Sequence, residues 1–599
     1  MNEQRTISES WPDLPLDAWR DTSTTLQLWT QVVGKIRLVQ TPWLNHSWHV
    51  TLYVTARGLT TSPIPYGERV FQLELDFIDH VLRIDTSDGA QRQMPLQPQS
   101  VAQFYAAVMA MLADVGLPVT IDEMPNEVPE PIRFSAHCQR DEMRRRSFLA
   151  SVCIVVFAVA AAAGRGATTE GASAPQPVTT VFEASRLIVG DGTTIADAAL
   201  VVSDGKIVQV GPRATVKAPA AAARMSLPDR TVMPMLVDLH GHTGFMKDGV
   251  FAAEHYSAEN IADHLRQLEY FGVGAFLSLG TDMGPDAWAV RERQRATGAP
   301  GGARLLVAGR GFVAPGGGPT VSPLEHVPFE VDRPEMARLL VRELAAQKAD
   351  MVKVWVDDRN GTRPKLPPDI YRVIIDEAHR HKLRVMAHVY YLADAKELVR
   401  SGIDGFAHMV RDLPVDDEFV ALARERNVFF ATSMAVQAKP ISEWIDDPAF
   451  TRTMTAAALA RLKAGDTGLP SAGGNDRTQQ FRALMKLSIP KLKAAGLRLA
   501  LGGDTGIPTR FVGYNEHLEL QAMVAAGLTP LEAITAGTSV PASILGLDDI
   551  GALAAGKSAD FVVLDGNPLE RIEDTLRIAD VYRRGRAIDR SALATVSNR

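Results

Sequence analysis

His240 and His242 stand two residues apart at the end of an apolar stretch, Val237-Asp238-Leu239-His240-Gly241-His242. On a strand, residues i and i+2 point to the same face, so two imidazoles at this spacing can grip one metal ion. The pair alone is a weak signal, since two satisfied loop histidines read the same way. Lys353 lies inside another apolar run, Met351-Val352-Lys353-Val354-Trp355-Val356. A lysine there must be paired or modified, because burying an uncompensated ammonium is expensive; a structural ion pair would also satisfy it. His388 closes Val385-Met386-Ala387-His388, His408 closes Gly405-Phe406-Ala407-His408, and Asp504 closes Leu499-Ala500-Leu501-Gly502-Gly503-Asp504. The glycines before Asp504 allow close approach. Each residue alone has an ordinary explanation. Six candidate ligands at five strand ends have no comparably simple one, and they predict a metal centre.

Something must bring these residues together. The strand-like segments VMPMLVDLH, GVGAFLSL, ARLLVAG, DMVKVWV, LRVMAHV, GFAHM, VFFATSM and LRLALGGD alternate with loop and helix patterns. Eight such units predict an α/β fold, a (β/α)8 TIM barrel over residues 233–549, with its site at the C-terminal mouth of the strands. Residues 179–232 and 550–599 read as short strands between glycine-containing turns and are predicted to pair as one flanking β-sandwich. The loop VAPGGGPT (313–320) lacks the Gly-Lys-Ser/Thr ending of a phosphate loop and reads as a flexible loop at the mouth. Residues 464–479 read as a polar loop or lid between strands seven and eight, long for a plain connector.

The chain has 599 residues, too many for one core. Residues 1–134 hold five of the eight tryptophans: Trp11, Trp19, Trp29, Trp43 and Trp48. Alternation over 70–84 predicts a strand with one buried face, and Val101, Tyr105, Val108 and Leu112 fall at helical spacing. These patterns predict a small α+β domain. Residues 143–178 begin with three arginines and continue into an apolar run at 148–163, then a Gly/Ala/Ser/Thr/Pro-rich stretch. That order is the signature of an export signal, with Arg145-Arg146-Ser147-Phe148-Leu149 similar to a twin-arginine signal. Two readings follow: Met143 is a true start and 1–142 belong to another protein, or the segment is an uncleaved anchor. A buried core helix is the third. The expected location is therefore exported, periplasmic or extracellular, with membrane contact only through 147–163 if they are not cleaved.

A formal net charge of -7 argues against a nucleic-acid partner. The two cysteines, Cys138 and Cys153, support neither a disulfide framework nor a Cys-based zinc site. A homo-oligomer fits the same sequence.

Taken together, these motifs resemble the amidohydrolase superfamily, with closest likeness to imidazolonepropionase-like and Xaa-Pro-dipeptidase-like members. The resemblance runs over about 180–590 and includes two C-terminal runs, LTPLEAITAGT from Leu528 and GALAAGKSADFVVLD from Gly551. It implies two divalent metals, zinc by default for imidazole and carboxylate ligands, with manganese, cobalt or iron as alternatives. His240, His242 and Asp504 would hold the first metal, His388 and His408 the second, and Lys353 would bridge them as a carboxylated lysine. It implies hydrolysis of a carbon–nitrogen bond by metal-activated water, with Asp504 moving the proton. The partner it implies is a small amide or peptide substrate, a dipeptide, an N-acyl amino acid or a related small amide. Cyclic amide hydrolysis is the alternative within enzymes, and a non-catalytic membrane-anchored binding protein the alternative outside them. Tyr390 and Tyr391 follow His388, where similar dipeptidases use a tyrosine on the substrate; packing would explain them as well. Arg510, a candidate for a substrate carboxylate, and His517 follow Asp504. Arg310, in the loop after the third strand, is a similar outsider. Residues 8–134 separately resemble a bacterial family of unknown function through LWTQVVGKIRL, TPWLNHSWH and YVTARGLTTSPIPYG. His46 and His49 lie there as candidate ligand-binding residues, with packed or surface positions as the alternative.

Overall fold

The computed structural model describes residues 16–41, 50–97, 99–126, 128, 132–136, 179–298, 301–465 and 475–590. It divides the chain into two compact units, Met1–Ser173 and Ala174–Arg599. The arginine-led segment and apolar run at 143–163, and His46 and His49, lie outside the described residues. Among the described residues no helix is long and apolar enough to cross a membrane.

The first unit has helices Leu16–Gln40 and Val101–Asp114 beside an antiparallel six-stranded sheet. The strand Arg69–Asp76 alternates, burying Phe71, Leu73 and Leu75 on one face. Ser100 and Gln103 form a capping box that starts the second helix. Trp29 stacks on its Phe104 with ring centroids 4.4 Å apart.

The second unit opens with Thr179–Ile188 (β1), Thr194–Ser203 (β2), Lys206–Pro212 (β3) and Ala223–Pro234 (β4). Among the strands that follow, eight alternate with helices: Leu236–Gly241 (β5), Val273–Ser278 (β6), Arg304–Val307 (β7), Val352–Val356 (β8), Val385–Val389 (β9), Gly405–Phe406 (β10), Phe429–Ala431 (β11) and Arg498–Ala500 (β12). The helices that follow them in turn are Ala258–Tyr270 (α1), Asp286–Thr297 (α2), Pro334–Ala346 (α3), Pro368–Arg380 (α4), Leu392–Arg400 (α5), Asp417–Glu425 (α6), Asn475–Ala494 (α7) and Tyr514–Ala525 (α8). The chain ends with Phe561–Leu564 (β13), Ile578–Arg583 (β14) and Arg586–Ala587 (β15).

β5, β6 and β7 pair in parallel in one sheet. β8 to β12 pair in parallel in a second. Backbone bonds link the two sheets at both edges. Asp350 N–H donates to Val307 O at 2.9 Å, and Leu239 N–H to Leu501 O at 3.0 Å. Successive strand residues point to opposite faces, and the burial follows this. Met351 and Met386 join one core cluster, while Val352, Val354, Val385 and Ala387 join another with the helices. Lys353 and His388 therefore share the face of Met351 and Met386, at the next even step.

Both flanks meet in one seven-stranded sheet, in the order β15-β14-β13-β4-β1-β2-β3. The sequence expectation was a β-sandwich shared by both flanks, and both flanks contribute strands to this one sheet. β4 is 12 residues long and irregular between Leu227 and Thr231. The sheet folds over at that point, bringing Phe182 of β1 to 5.0 Å from Phe561 of β13, centroid to centroid. A single bent sheet thus encloses its own core, with Ile207 N–H donating to Lys557 O across the far edge. A correction concerns the polar stretch at 464–479. Helix α7 already begins at Asn475, and 466–474 lie outside the described residues.

Candidate metal centre

All six predicted ligands are buried, and all six line one cavity of about 700 Å³. His240 and His242 come from the end of β5. Asp504 follows β12, with a left-handed backbone at φ 49° that short acidic residues tolerate. Its N–H donates to His240 O at 2.7 Å, and His242 N–H donates to Thr505 O at 2.7 Å. These bonds lock the two strand ends together. Gly506 is required there, because at φ 82° an added Cβ would sit 1.6 Å from His242 O.

One ligand atom each from His240, His242 and Asp504 falls within 4.8 Å of the others. Asp504 Oδ1 is 3.4 Å from His240 Nε2 and 3.2 Å from His242 Nε2. The other ring nitrogens are anchored outward. His240 Nδ1 lies 2.9 Å from Ala407 O and 3.0 Å from Ser433 Oγ, and His242 Nδ1 lies 2.7 Å from Thr281 Oγ1. This holds each Nε2 toward the cavity. His388 and His408 stack edge-on with ring centroids 4.3 Å apart, and His408 lies 4.9 Å from His240.

Protonation states leave the ligand atoms free to bind a metal. Burial drives His240, His388 and His408 well below the usual imidazole range, so they stand as neutral donors. Burial acts to raise the Asp504 carboxyl, yet neighbouring His240, His242 and Lys353 hold it well below the carboxylate range. Burial pulls the Lys353 ammonium down to about 7. Its Nζ is buried and has no hydrogen-bond partner among the described residues. Gly280 and Gly311 pack against its stem, where an added Cβ would meet it at 2.6 and 3.0 Å. An orphaned buried amine beside neutral imidazoles and an ionised aspartate is a donor set that fits divalent metal, which would satisfy it.

The described residues that line the cavity do not include Tyr390, Tyr391 or His517. The Tyr391 hydroxyl donates to Asp358 Oδ1 at 2.9 Å, and Tyr390 packs under the Arg411 guanidinium. His517 Nε2 lies 2.8 Å from Phe271 O, inside helix α8 packing. Arg310 lies over the Phe329 ring, 4.3 Å from its centroid, away from the cavity lining. Arg510 does line the cavity, and burial lowers it to about 10. Its guanidinium bonds the carbonyls of Val436 and Thr509, and the carboxylates of Asp504 and Glu519 act on it through space without a described ion pair. Three further lining arginines, Arg359, Arg411 and Arg477, escaped sequence reading, because loop arginines usually face solvent.

The buried carboxylates behind the candidate ligands also went unread. Asp238 Oδ1 accepts the N–H groups of His240 at 2.9 Å and Gly503 at 3.0 Å. Glu516 Oε1 accepts the Thr505 hydroxyl at 2.8 Å. Glu519 accepts N–H bonds from Met434 at 2.9 Å and Ala435 at 2.6 Å. Burial raises Glu516 and Glu519 to about 7. The available signal was a helix, α8, carrying Asn515, Glu516, His517 and Glu519 in series, more polar groups than one solvated face needs.

Buried imidazoles and an ionised aspartate around a substrate-sized cavity are the equipment of a hydrolase. Residues 231–588, more than half of the chain, match the Amidohydrolase family, and the chain belongs to it. It is 28% identical over 450 residues to an ochratoxinase of Aspergillus niger, covering 67% of this chain and 84% of that protein. It is 27% identical over 410 residues to an imidazolonepropionase of Deinococcus radiodurans, covering 66% and 93%. The solved structure of a Xaa-Pro dipeptidase with bound methionine in the active site superposes with a TM-score of 0.54 at 20% identity, covering 69% of this chain and all of that one. Residues 11–153 match a family of unknown function, DUF5996, which extends past the 134 expected from sequence.

Proposed function

We propose that this hydrolase cleaves the amide-type carbon–nitrogen bond of a small substrate bearing a carboxylate, a dipeptide or N-acyl amino acid, at a binuclear divalent metal centre. The observation that carries this reading is the convergence of His240, His242, Lys353, His388, His408 and Asp504 on one cavity. In it, His240, His242 and Asp504 would hold one ion, and His388 and His408 the other. Lys353 would serve both as a carbamate, formed when its free amine adds carbon dioxide and releases a proton. Zinc suits this donor set. Such metals lower the pKa of water to about 7 and polarise the scissile carbonyl. Asp504, kept ionised by its surroundings, takes the proton of the attacking water and hands it to the leaving nitrogen. Arg510, buried without a described ion pair, binds the substrate carboxylate. Trp355, Val321, Leu324 and Ile441 offer apolar walls for the rest of the substrate. The same reading takes β5 to β12 as a closed (β/α)8 barrel. The Leu239–Leu501 bond and the parallel bridge between Gly241 and Thr505 support closure.

The test is hydrolysis by the zinc-loaded full chain of dipeptides and N-acyl amino acids, each beside its carboxamide. Turnover of the acids at least about 10-fold above the carboxamides is expected, one charged hydrogen bond being worth 1.5–3 kcal/mol. Bound zinc with no turnover of any amide would sink the enzymatic reading in favour of a binding role. Exclusive turnover of cyclic amides would move the chain to the rival branch.

A further inference from the structure

His388 has two neighbours at one nitrogen that cannot both be served. Its Nε2 lies 2.9 Å from Asp357 Oδ2 and 3.0 Å from Arg411 Nη2. A carboxylate only accepts and a guanidinium only donates. A neutral imidazole offers at Nε2 either an N–H or a lone pair. If Nε2 carries the hydrogen, it donates to Asp357, and the lone pair falls on Nδ1. If Arg411 donates to Nε2, the hydrogen moves to Nδ1, which then cannot ligate. Among the described residues nothing hydrogen-bonds Nδ1.

We propose that Asp357 is the positioning residue of this centre, selecting the His388 tautomer whose Nδ1 is free for a metal, while Arg411 favours the tautomer that cannot bind one. The inference rests on the binuclear reading above. Asp357 is built for the task. It is buried, its Oδ1 accepts the Arg359 N–H at 2.9 Å, and Arg359 Nη1 lies 3.3 Å from its Oδ2. These bonds fix the carboxylate against rotation just past the end of β8. Arg411 has an alternative in the carbonyl of Val389, which its Nη2 already reaches at 2.9 Å. When Nε2 donates to Asp357, Arg411 keeps that bond and its other hydrogens are free to face the cavity it lines.

The experiment uses the full chain and zinc. In Asp357→Ala, Arg411 is left as the sole partner of Nε2. Zinc content is expected to fall from two ions toward one, the weaker site losing about 10–100-fold in affinity. Adding Arg411→Met should restore much of that loss, because neither tautomer is then imposed. A merely structural role predicts the reverse, a double variant worse than the single. The proposal is overturned if Asp357→Ala binds both ions normally, or if the double variant binds no better than the single. Nitrogen shifts of 15N-histidine-labelled, metal-free protein report the tautomer without any metal. His388 should carry its hydrogen on Nε2 in the wild type and on Nδ1 in Asp357→Ala, and the opposite order overturns the proposal. Failure of the binuclear reading looks different: the wild type itself holds fewer than two zinc ions while the tautomer shift persists.

Discussion

Lys353 separates a metal centre from a cluster of packed histidines. A buried histidine is content as a neutral, hydrogen-bonded ring, as His240 is against Ala407 and Ser433. A buried amine with no partner is costly. Lys353→Ala should therefore bind less zinc and lose more than about 100-fold in kcat/KM, and metal analysis of the purified variant with parallel kinetics checks this. Near-normal zinc content would remove the bridging role. Lys353 was legible in the sequence because an ammonium inside an apolar strand has few fates. Asp357, Arg411 and Asp238 were not. A charged residue just past a strand looks like an ordinary solvated loop residue until the fold turns it inward.

At the scale of elements, helix α1 holds the segment that follows His240 and His242. His264 of this helix accepts the Gly244 N–H at Nδ1, 3.2 Å away, and its Nε2 lies 2.6 Å from Met246 O. The bond at Nδ1 needs the neutral ring, and burial lowers its pKa to about 4. Its folded pKa lies below the unfolded value of 6.5. Below pH 6.5 the unfolded chain binds the proton first, so stability is intact above 6.5 and lost as pH falls toward 4. Between pH 7 and 5 the wild type should lose about 2 kcal/mol more than His264→Gln, a gap that denaturant unfolding at both pH values measures. An equal loss in both proteins would contradict this. Helix α8 taught the opposite lesson. His517 sits close to Asp504 in sequence, but the turn of the helix aims it at Phe271. Tyr390 and Tyr391 likewise adjoin His388 in sequence and are not among the residues that line the cavity.

At the scale of the molecule, the chain is two units with separate cores. One buried cluster runs from Leu28 to Phe134, and the others draw only on residues from Val181 to Tyr582. A chain starting at Ala174 should therefore fold alone, bind zinc and hydrolyse substrate as the full chain does. Circular dichroism, metal content and kinetics on the shortened chain check this. Insolubility of that chain beside a soluble full-length protein would make the first unit a required partner.

The sequence by itself determined the short strands and the six candidate ligand positions on or just past them, because apolar runs that carry or end in His, Lys or Asp are local patterns. It also determined that both flanks contribute strands. Only the tertiary structure decided that the flanks share one bent sheet and which charged groups stand behind the histidines. It likewise decided which arginines reach the cavity and which aromatic residues do not. Those outcomes depend on how strands and helices rotate against one another across hundreds of residues, and no short-range periodicity encodes that rotation.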